Sequence, residues 1–424
     1  MNTNGWDTIS ILSIEDVNKK LKDNLSSLIM DFSTNWVDGF SGKYSASGQF
    51  GVWSIVGGSG TDIYIKIPMK TGTVTSASDQ KQVDITGMSF SFEVNLSWIP
   101  STVSDEGKKL QFDLKQYTPK GNTRQSGGIY LMSFEDPKNT GFGEELGKGI
   151  AQDLIDNKDK ITFIFAQTGV LESGLPSWLV PVKSIYSYQT PSGKSEAYLS
   201  ILSVTSNKDI TNLNANIDPG LIPNGSSLSF SISGDLFLEH IILPALPGTF
   251  EHSTLKNFSF SNGSINLASE FYLTAVQSGA IFYNPQVTSM KISIDSNALK
   301  NETSGTVYLD LPNAYLSFSA ITKNVLNFNP GNQTITFQKD PKPITTSDSH
   351  VPWYDYILTL GPIGASITAI VLAAVESGLG DSLANSNLAG NLSSATAKSI
   401  DWGGKITVKA GALNDCFIMQ ADLV

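Results

Sequence analysis

Few side chains in the sequence have the type and spacing that enzyme chemistry requires. The chain has three histidines, His240, His252 and His350. His240 follows Glu239 in a short apolar segment, whereas the other two lie in loop-like segments with no catalytic neighbour. A histidine acts as a base only beside a positioned nucleophile or carboxylate, so these surroundings favour structural roles.

The single cysteine, Cys416, limits the metal and redox chemistry of the chain. One cysteine excludes an intrachain disulfide, a cysteine-rich zinc site and an iron–sulfur cluster. Its place in the run from Asp415 to Met419, where the three residues that follow the cysteine are apolar, predicts a buried strand residue. With so few histidines and cysteines, we expect no metal and no cofactor.

The glycine-rich stretches lack the spacing of phosphate-binding loops. Gly193-Lys194-Ser195 ends like a P-loop, but Tyr188 stands where the first glycine is required. In Gly141-Phe142-Gly143 the third glycine position is occupied by Leu146. The sequence also contains no Gly-x-Ser-x-Gly and no His-Glu-x-x-His motif. The remaining chemical option is a pair of carboxylates.

Carboxylate pairs for glycoside hydrolysis form in space and cannot be read from sequence, so a hydrolase stays an alternative. Asp235 and Glu239 are one helical turn apart, and capping and solvation are their simplest roles. The absence of every local catalytic signature predicts a non-catalytic protein that binds or assembles with something else.

Composition narrows the class of partner. Of the 424 residues, 16% are charged, against about 25% in an ordinary soluble domain, and the net charge is -11. Phosphate binding needs clustered lysine and arginine, so we expect no nucleic-acid partner. The hydrophobic content of 40% excludes a disordered chain. The start, Met1 to Trp6, has neither a basic nor an apolar region, so we expect no conventional signal peptide.

The elements that would position a site begin with a predicted helix from Ser13 to Trp36. Ser13 and Asp16 resemble a capping box. Apolar residues then recur every three or four positions. At about 1.5 Å per residue this helix would be roughly 36 Å long.

From Gly39 onward the apolar period is two, which is typical of strands. The clearest strand alternates six apolar residues with polar ones, which predicts one buried and one wet face. We take its apolar face as the candidate ligand-binding surface, formed by Met88, Phe90, Phe92, Val94, Leu96 and Trp98. Further strands are predicted at Ile63 to Met69, Leu110 to Leu114, Ile161 to Phe165, Tyr198 to Val204, Leu228 to Ile232, Met290 to Ile294 and Val307 to Leu311.

Turn residues indicate antiparallel meanders. A turn is predicted at residues 57–60, and hairpins are predicted at Asn262-Gly263 and at Asn329-Pro330-Gly331-Asn332. Such short connections do not allow parallel crossover units.

Two more helices are predicted in the second half of the chain. A short one runs from Asp235 to Leu243 and is ended by Pro244. The other includes Tyr356 to Val375, which carries no charge and matches a membrane span in length. Gly361-Pro362 interrupts it and its flanks are acidic, so we expect a helix enclosed by a curled sheet and no transmembrane span.

Several segments resemble the clostridial forty-seven-kilodalton protein family, which is encoded beside botulinum-type neurotoxins in orfX-type gene clusters. The opening from Asn2 to Thr8 and Val17-Asn18-Lys19 look like the start of that family. Residues 178–181, 197–203, 230–239 and 242–244 look like its central blocks.

The resemblance covers essentially the whole chain and implies an α+β fold of the TULIP (tubular lipid-binding) type, in which strongly curved antiparallel β-sheets wrap long α-helices. The order of the predicted elements (a helix, a run of strands, a short helix, more strands and a last helix) allows two TULIP-like halves, 1–234 and 235–424, or one continuous domain. It also implies a non-catalytic accessory role beside a neurotoxin, with synthesis in the bacterial cytoplasm and release by a non-classical route.

Two functions follow for such a protein. The first is binding of a phospholipid or another apolar ligand against the curved sheet. The second is assembly with neurotoxin-cluster proteins without any lipid. A tube can be filled by its own side chains, and Phe90, Phe92 and Trp98 are large enough to do so.

Overall fold

The computed structural model describes residues 1–38, 42–101, 107–119, 121–169, 175–278, 280–309, 313–331, 334–350, 369 and 399–424. In these residues most of the ordered backbone is β-strand and the helices are short. The strands form three sheets and one separate hairpin, and nearly all neighbours are antiparallel. The prediction of a β-rich protein with curved antiparallel sheets is confirmed. Long helices are not found in this part of the chain.

The central sheet joins the beginning, the middle and the end of the chain. Its six strands within the described residues lie in the order β12 (Lys183–Gln189), β13 (Tyr198–Val204), β1 (Thr8–Ser13), β14 (Leu228–Ser233), β27 (Cys416–Leu423) and β26 (Ile406–Asn414). Every residue of β13 is buried, because apolar side chains cover both faces of the sheet. One face meets the main core and the other a smaller cluster around Trp6 and Ile11.

The pairing of β14 with β27 places Phe230 opposite Met419, so strands from both sides of residue 234 share this sheet. The division into halves at that residue stays a prediction.

The N-terminal sheet contains the predicted ligand-binding strand. In the described residues its main path is β2 (Asp31–Asp38), β3 (Gly42–Phe50), β5 (Asp62–Ser76), β7 (Ser89–Pro100), β8 (Lys108–Asp113), β11 (Ala166–Thr168) and β25 (Ile400–Asp401). Shorter strands extend it: β4 (Ser54–Ser59), β6 (Gln82–Asp84), β9 (Gln116–Tyr117) and β10 (Gly128–Glu135). Thus the strand predicted from Met88 to Trp98 is confirmed as β7.

Glycines mark the bend of this sheet. Gly48 of β3 lies directly opposite Gly72 of β5. A Cβ atom on Gly48 would lie 2.2 Å from the carbonyl oxygen of Thr71, so no larger residue fits there. A register shift between Gln49 and Phe50 follows, and such irregularities bend a strand. The curvature therefore comes from the missing side chains and the bulge.

The C-terminal sheet is a long meander. Its described strands are β15 (Phe258–Ser261), β16 (Ser264–Leu267), β17 (Phe271–Tyr272), β20 (Gln286–Asp295), β21 (Ala298–Tyr308), β22 (Tyr315–Asn329), β23 (Thr334–Phe337) and β24 (Ile344–His350). A separate hairpin joins β18 (Val276–Ser278) and β19 (Ile281–Tyr283). Both predicted hairpins are confirmed, since β15 pairs with β16 and β22 with β23.

The first helix is much shorter than predicted. Helix α1 spans Ile14–Asp23, with Ser13 accepting the Asp16 N–H at its start. A short 3-10 turn follows, and the chain then enters β2. The prediction that the helix continues to Trp36 is wrong. It was made because Phe32 and Trp36 are four residues apart, and this spacing fits a helix and a strand equally well. Thr34 between them is also buried, which fits only the strand.

Helix α2, Gly143–Asp156, was not predicted. Its buried residues include Leu146, Ile150 and Leu154, a helical spacing on one face. Gly147 faces the N-terminal sheet, where a Cβ atom would lie 2.6 Å from Leu131 and 3.2 Å from Phe90. The absence of a side chain at Gly147 thus allows the helix to approach the sheet closely.

The helical segment after β14 continues past its predicted end. It consists of α3 (Gly234–Phe237), a π-helical turn (Leu238–Ile242) and α4 (Leu243–Thr249). Pro244 was expected to end it because proline has no N–H and its ring clashes with a carbonyl four residues earlier. The π turn, in which the Leu243 N–H donates to the Leu238 carbonyl, widens the helix just before the proline.

Three smaller expectations differ from the structure. Residues 161–165 carry no strand, although Phe163 and Phe165 are buried and the Phe165 N–H reaches the Leu110 carbonyl. The turn predicted at 57–60 lies at residues 60 and 61, because β4 runs through Ser59 and β5 begins at Asp62. Strand β21 ends at Tyr308, and residues 310–312 lie outside the described residues. The predicted helix containing Tyr356 to Val375 also lies outside them, apart from residue 369.

Candidate functional site

The predicted ligand-binding face lies in the packed core. Met88, Phe90, Phe92 and Val94 have no exposed surface and Leu96 is 5% exposed. Trp98 is partly buried against the same core. Helix α2 covers the face near Phe90, and the three cavities described below are lined by other residues. Ligand binding by this face stays a prediction.

The opposite face of β7 is only partly exposed to solvent, which corrects the prediction of a solvent-exposed face. Glu93 is 2% exposed and Ser89 is 4% exposed. Arg124 covers Glu93, with its Nη2 atom 2.8 Å from Glu93 Oε2, and its Nη1 donates to Asp62 Oδ2 at 3.1 Å. Burial raises the pKa of Glu93, and the charge of Asp62 adds to this effect while Arg124 opposes it.

Asp62 and Glu93 are a pair of carboxylates brought together by the fold, which sequence analysis could not find. A carboxyl group with a raised pKa beside a second carboxylate is the arrangement used for acid catalysis by glycosidases. Here the guanidinium of Arg124 occupies the space between Asp62 and Glu93, where a substrate would have to bind. The geometry is that of a structural ion-pair network.

A surface cavity of about 680 Å³, which we call the Trp178 cavity, is lined by aromatic and charged side chains. It is formed by the N-terminal segment, the 3-10 turn Ser177–Leu179 and the start of the helical segment after β14. The N-terminal segment is held in place because the Met1 ammonium donates to Asn414 Oδ1 at 3.1 Å and the Asn2 N–H donates to Asp218 at 2.9 Å.

The aromatic wall of the cavity is a stacked pair. The rings of Trp178 and His240 lie 4.8 Å apart between centroids, with 7° between their planes. The π turn carries His240 and Glu239 to the cavity. Burial lowers the pKa of His240, and the Glu239 carboxylate 3.8 Å away opposes the shift. The lowered pKa favours the neutral imidazole, which suits stacking on Trp178.

The cavity carries charges of both signs with an acidic excess. Lys208 pairs with Asp7 at 3.6 Å, and the Met1 ammonium pairs with Asp415 at 3.4 Å. Asp235 and Glu239 are also at the cavity, and neither pairs with a lysine or arginine of the described residues. Both side chains are exposed, so they are available to a cation from outside. Sequence analysis noted their spacing, but Trp178 only as part of a block that resembles the family.

A buried lysine ties α1 to two distant segments. Lys20 Nζ donates to the Phe165 carbonyl at 3.0 Å and to the Trp402 carbonyl. It also lies 5.9 Å from the centre of the Phe163 ring and lines a cavity of about 240 Å³. Burial lowers the pKa of Lys20 to about 8, with the charge of Asp401 acting in the opposite direction. Two carbonyl partners make this a structural contact.

The largest of the three cavities, about 770 Å³, is equally polar. It lies at the start of α1, where Glu15, Asp16 and Lys19 meet Glu196 and the chain end around Val424. Among the described residues, no three His, Cys, Asp or Glu side chains are arranged to hold a metal ion. None of the described helices has the length and apolar character needed to cross a membrane.

The described residues thus form a β-rich protein with mainly antiparallel sheets and polar surface cavities. The sequence model of the family described as "OrfX-like: Protein OrfX2/OrfX3/P47" matches residues 3–406. The chain belongs to this family.

Named relatives agree with that assignment. The chain is 27% identical over 396 residues to "Protein P47" of Clostridium botulinum (strain Kyoto / Type A2), covering 91% of both chains. It is 25% identical over 390 residues to "Protein OrfX3" of Paraclostridium bifermentans, covering 80% of this chain and 76% of the relative.

Solved structures show the same fold. The structure of P47 from Clostridium botulinum A2 matches with a TM-score of 0.81 and 25% identity, over 100% of this chain and 98% of that one. P47 of Clostridium botulinum E1 matches with a TM-score of 0.77 and 23% identity, over 99% of both chains.

Proposed function

We propose that this chain is a non-catalytic accessory protein that binds a partner protein at the Trp178 cavity. The observation that carries the proposal is the contrast between the two candidate surfaces. The apolar face of β7 is closed by protein, whereas the Trp178 cavity is open and lined by aromatic and charged side chains. Small-molecule sites are mostly apolar, while protein interfaces combine tryptophan and other aromatic anchors with a charged rim.

The charges indicate what such a partner presents. Asp235 and Glu239 have no lysine or arginine partner in the described residues, and the whole chain carries a net charge of -11. A basic segment would meet complementary charge at the cavity and be attracted to it from a distance. An aromatic or apolar side chain of the same segment would pack beside Trp178.

The identity of the partner rests on the family. Because relatives come from Clostridium botulinum, we propose that the partner is another protein of an orfX-type neurotoxin cluster. We also interpret the fold as a variant of the TULIP plan in which side chains fill the space that lipid would take.

The experiment is a binding assay with purified proteins. The full chain is immobilised and exposed in turn to each protein encoded with it, and wild type is expected to bind at least one. Trp178→Ala should weaken that binding at least tenfold, and so should the double change Asp235→Asn with Glu239→Gln. Leu255→Ala, which alters an apolar side chain that is 55% exposed elsewhere, is the control.

If wild type binds none of these proteins, the proposed function is wrong. If Trp178→Ala binds as tightly as wild type, the function stands but the site is wrong.

A further inference from the structure

The two hydrogen bonds of Lys20 match the uncharged form of its amine. Nζ donates to the carbonyl oxygens of Phe165 and Trp402. A neutral amine has two N–H groups and one lone pair, whereas the ammonium form has three N–H groups and no lone pair. Two carbonyl acceptors therefore satisfy every N–H group of the neutral amine and leave its lone pair free. A nitrogen with a free lone pair is a nucleophile.

The surroundings of the amine also favour this form. Phe163, whose ring centre lies 5.9 Å from Nζ, is 3% exposed. Asp401 lines the same cavity, but its carboxylate already accepts the Gly403 N–H at 2.7 Å. Because burial lowers the pKa of Lys20 to about 8, a much larger fraction of this amine is uncharged near pH 7.5 than of an ordinary lysine.

A small molecule can reach the amine through the cavity of about 240 Å³ that Lys20 lines. Gly403 lines this cavity as well and is exposed. Its φ angle is +73°, and a Cβ atom at this residue would lie 3.4 Å from Lys20 Nζ. The missing side chain thus leaves space directly beside the nitrogen. The volume suits a group of a few heavy atoms.

The charges at the cavity select the kind of electrophile. Apart from Lys20, Asp401 is the only charged residue among the described residues that line it, and the whole chain carries a net charge of -11. An anionic acyl donor such as an acyl phosphate would be repelled. A thioester carries no charge at its reacting end, so its acyl group can enter.

We propose that Lys20 is a modification site that accepts a small acyl group, such as acetyl, from a thioester. The lone pair of Nζ attacks the thioester carbonyl carbon, so that a C–N bond forms and the C–S bond breaks. The sulfur leaves with the electron pair and takes up the proton that the nitrogen loses, which gives an amide and a thiol. The amide keeps one N–H, so the carbonyl of either Phe165 or Trp402 loses its donor and α1 is held less firmly.

This inference does not depend on partner binding at the Trp178 cavity, because Lys20 is not among the residues that line that cavity. The acyl group is attached to the protein and not turned over, so the non-catalytic role proposed above is unaffected.

The test is acetylation of the native full chain at pH 7.5 with the uncharged thioester S-acetyl-N-acetylcysteamine, followed by peptide mass spectrometry. Lys19 is the matched reference, because it is the preceding residue of the same helix and is exposed. Lys20 is expected to be acetylated at least about fivefold faster than Lys19, since more of its amine is uncharged. With acetyl phosphate, an anionic donor, the two rates should be similar.

Two controls separate the effect of the fold from that of the local sequence. In the chain unfolded by denaturant, Lys19 and Lys20 should react at similar rates. Lys20→Arg retains donors for both carbonyls and should lose the fast phase of acetylation seen by intact mass, whereas Lys19→Arg should keep it.

The opposite results overturn the proposal. Equal acetylation of Lys19 and Lys20 in the native chain would show that the amine is not reactive, and a preference for Lys20 that persists in denaturant would show that the cavity is not its cause. A fast phase that survives in Lys20→Arg would place the reactive amine elsewhere. Preferential reaction of Lys20 with acetyl phosphate would contradict the assigned class of donor. The comparison of two lysines within wild type requires no variant to fold.

Discussion

Trp178 and His240 stack almost in parallel, 4.8 Å apart, although one lies in a 3-10 turn and the other in a π turn. The contact joins the segment before β12 to the helical segment after β14. Stacked aromatic pairs contribute about 0.5–1.5 kcal/mol beyond the area that they bury. A double-mutant cycle with Trp178→Ala and His240→Ala, measured by chemical unfolding, should give a coupling energy in that range. Simple additivity would show that the rings do not stabilise each other.

The second prediction concerns β7. Changing Phe92 to Asp places a charge in the closed core, and we expect a loss of several kcal/mol in the free energy of unfolding. Ser91→Asp, one residue away on the other face and partly exposed, should cost under about 0.5 kcal/mol. Denaturant titration of both variants measures the contrast. Equal tolerance would mean that the strand is not packed as described.

Phe92→Ala gives a related measurement. The side chain has no exposed surface, and removing it should cost about 3–5 kcal/mol. A cost below about 1 kcal/mol would instead indicate that the face lines an open cavity.

The third prediction follows from Lys20, whose pKa in the folded state is about 8 against 10.5 when unconstrained. Between these two values the unfolded chain binds a proton that the folded chain does not, so the stability contributed by this residue increases as the pH rises from about 8 to 10.5. The free energy of unfolding of wild type minus that of Lys20→Met, measured across that range, should increase with pH. A constant difference would show that the Lys20 pKa is not lowered.

The fourth prediction concerns Cys416, where burial raises the thiol pKa to about 12. Only the thiolate reacts with disulfide reagents. The folded chain should therefore be inert to such a reagent at pH 8, while the chain unfolded in denaturant should react with one equivalent. Rapid reaction of the folded chain would contradict the burial of this residue.

Sequence reasoning succeeded where the signal was strictly periodic or tied to turn chemistry. The alternation from Phe90 to Leu96 fits a strand alone, and β7 is where it was expected. The Asn262-Gly263 hairpin is also found, because Asn262 and Gly263 both adopt the positive φ angles that this dipeptide favours. The curved antiparallel sheets follow from these two kinds of signal.

Sequence reasoning failed where a helix and a strand share the same apolar spacing, and where tertiary contacts determine the local structure or burial. Phe32 and Trp36 fit both periods, so β2 was taken for helix. Helix α2 was missed because its glycines, among them Gly147, weaken a helical pattern while serving its close packing on the sheet. The wet face predicted for β7 was wrong at Glu93, because no local pattern shows that Arg124 returns to cover it.

The candidate site was largely beyond sequence reasoning. Trp178 and His240 were both noted, but their contact depends on two turns that only the fold brings together.

Hydrogen–deuterium exchange of the full chain, with and without its protein partner, tests the central claim most directly. If a partner binds at the Trp178 cavity, backbone amides in residues 1–7, 177–179 and 233–242 should exchange more slowly in the complex than in the free chain. Residues 88–98 should exchange equally in both. Protection confined to other surfaces, with no change around Trp178, would contradict the account.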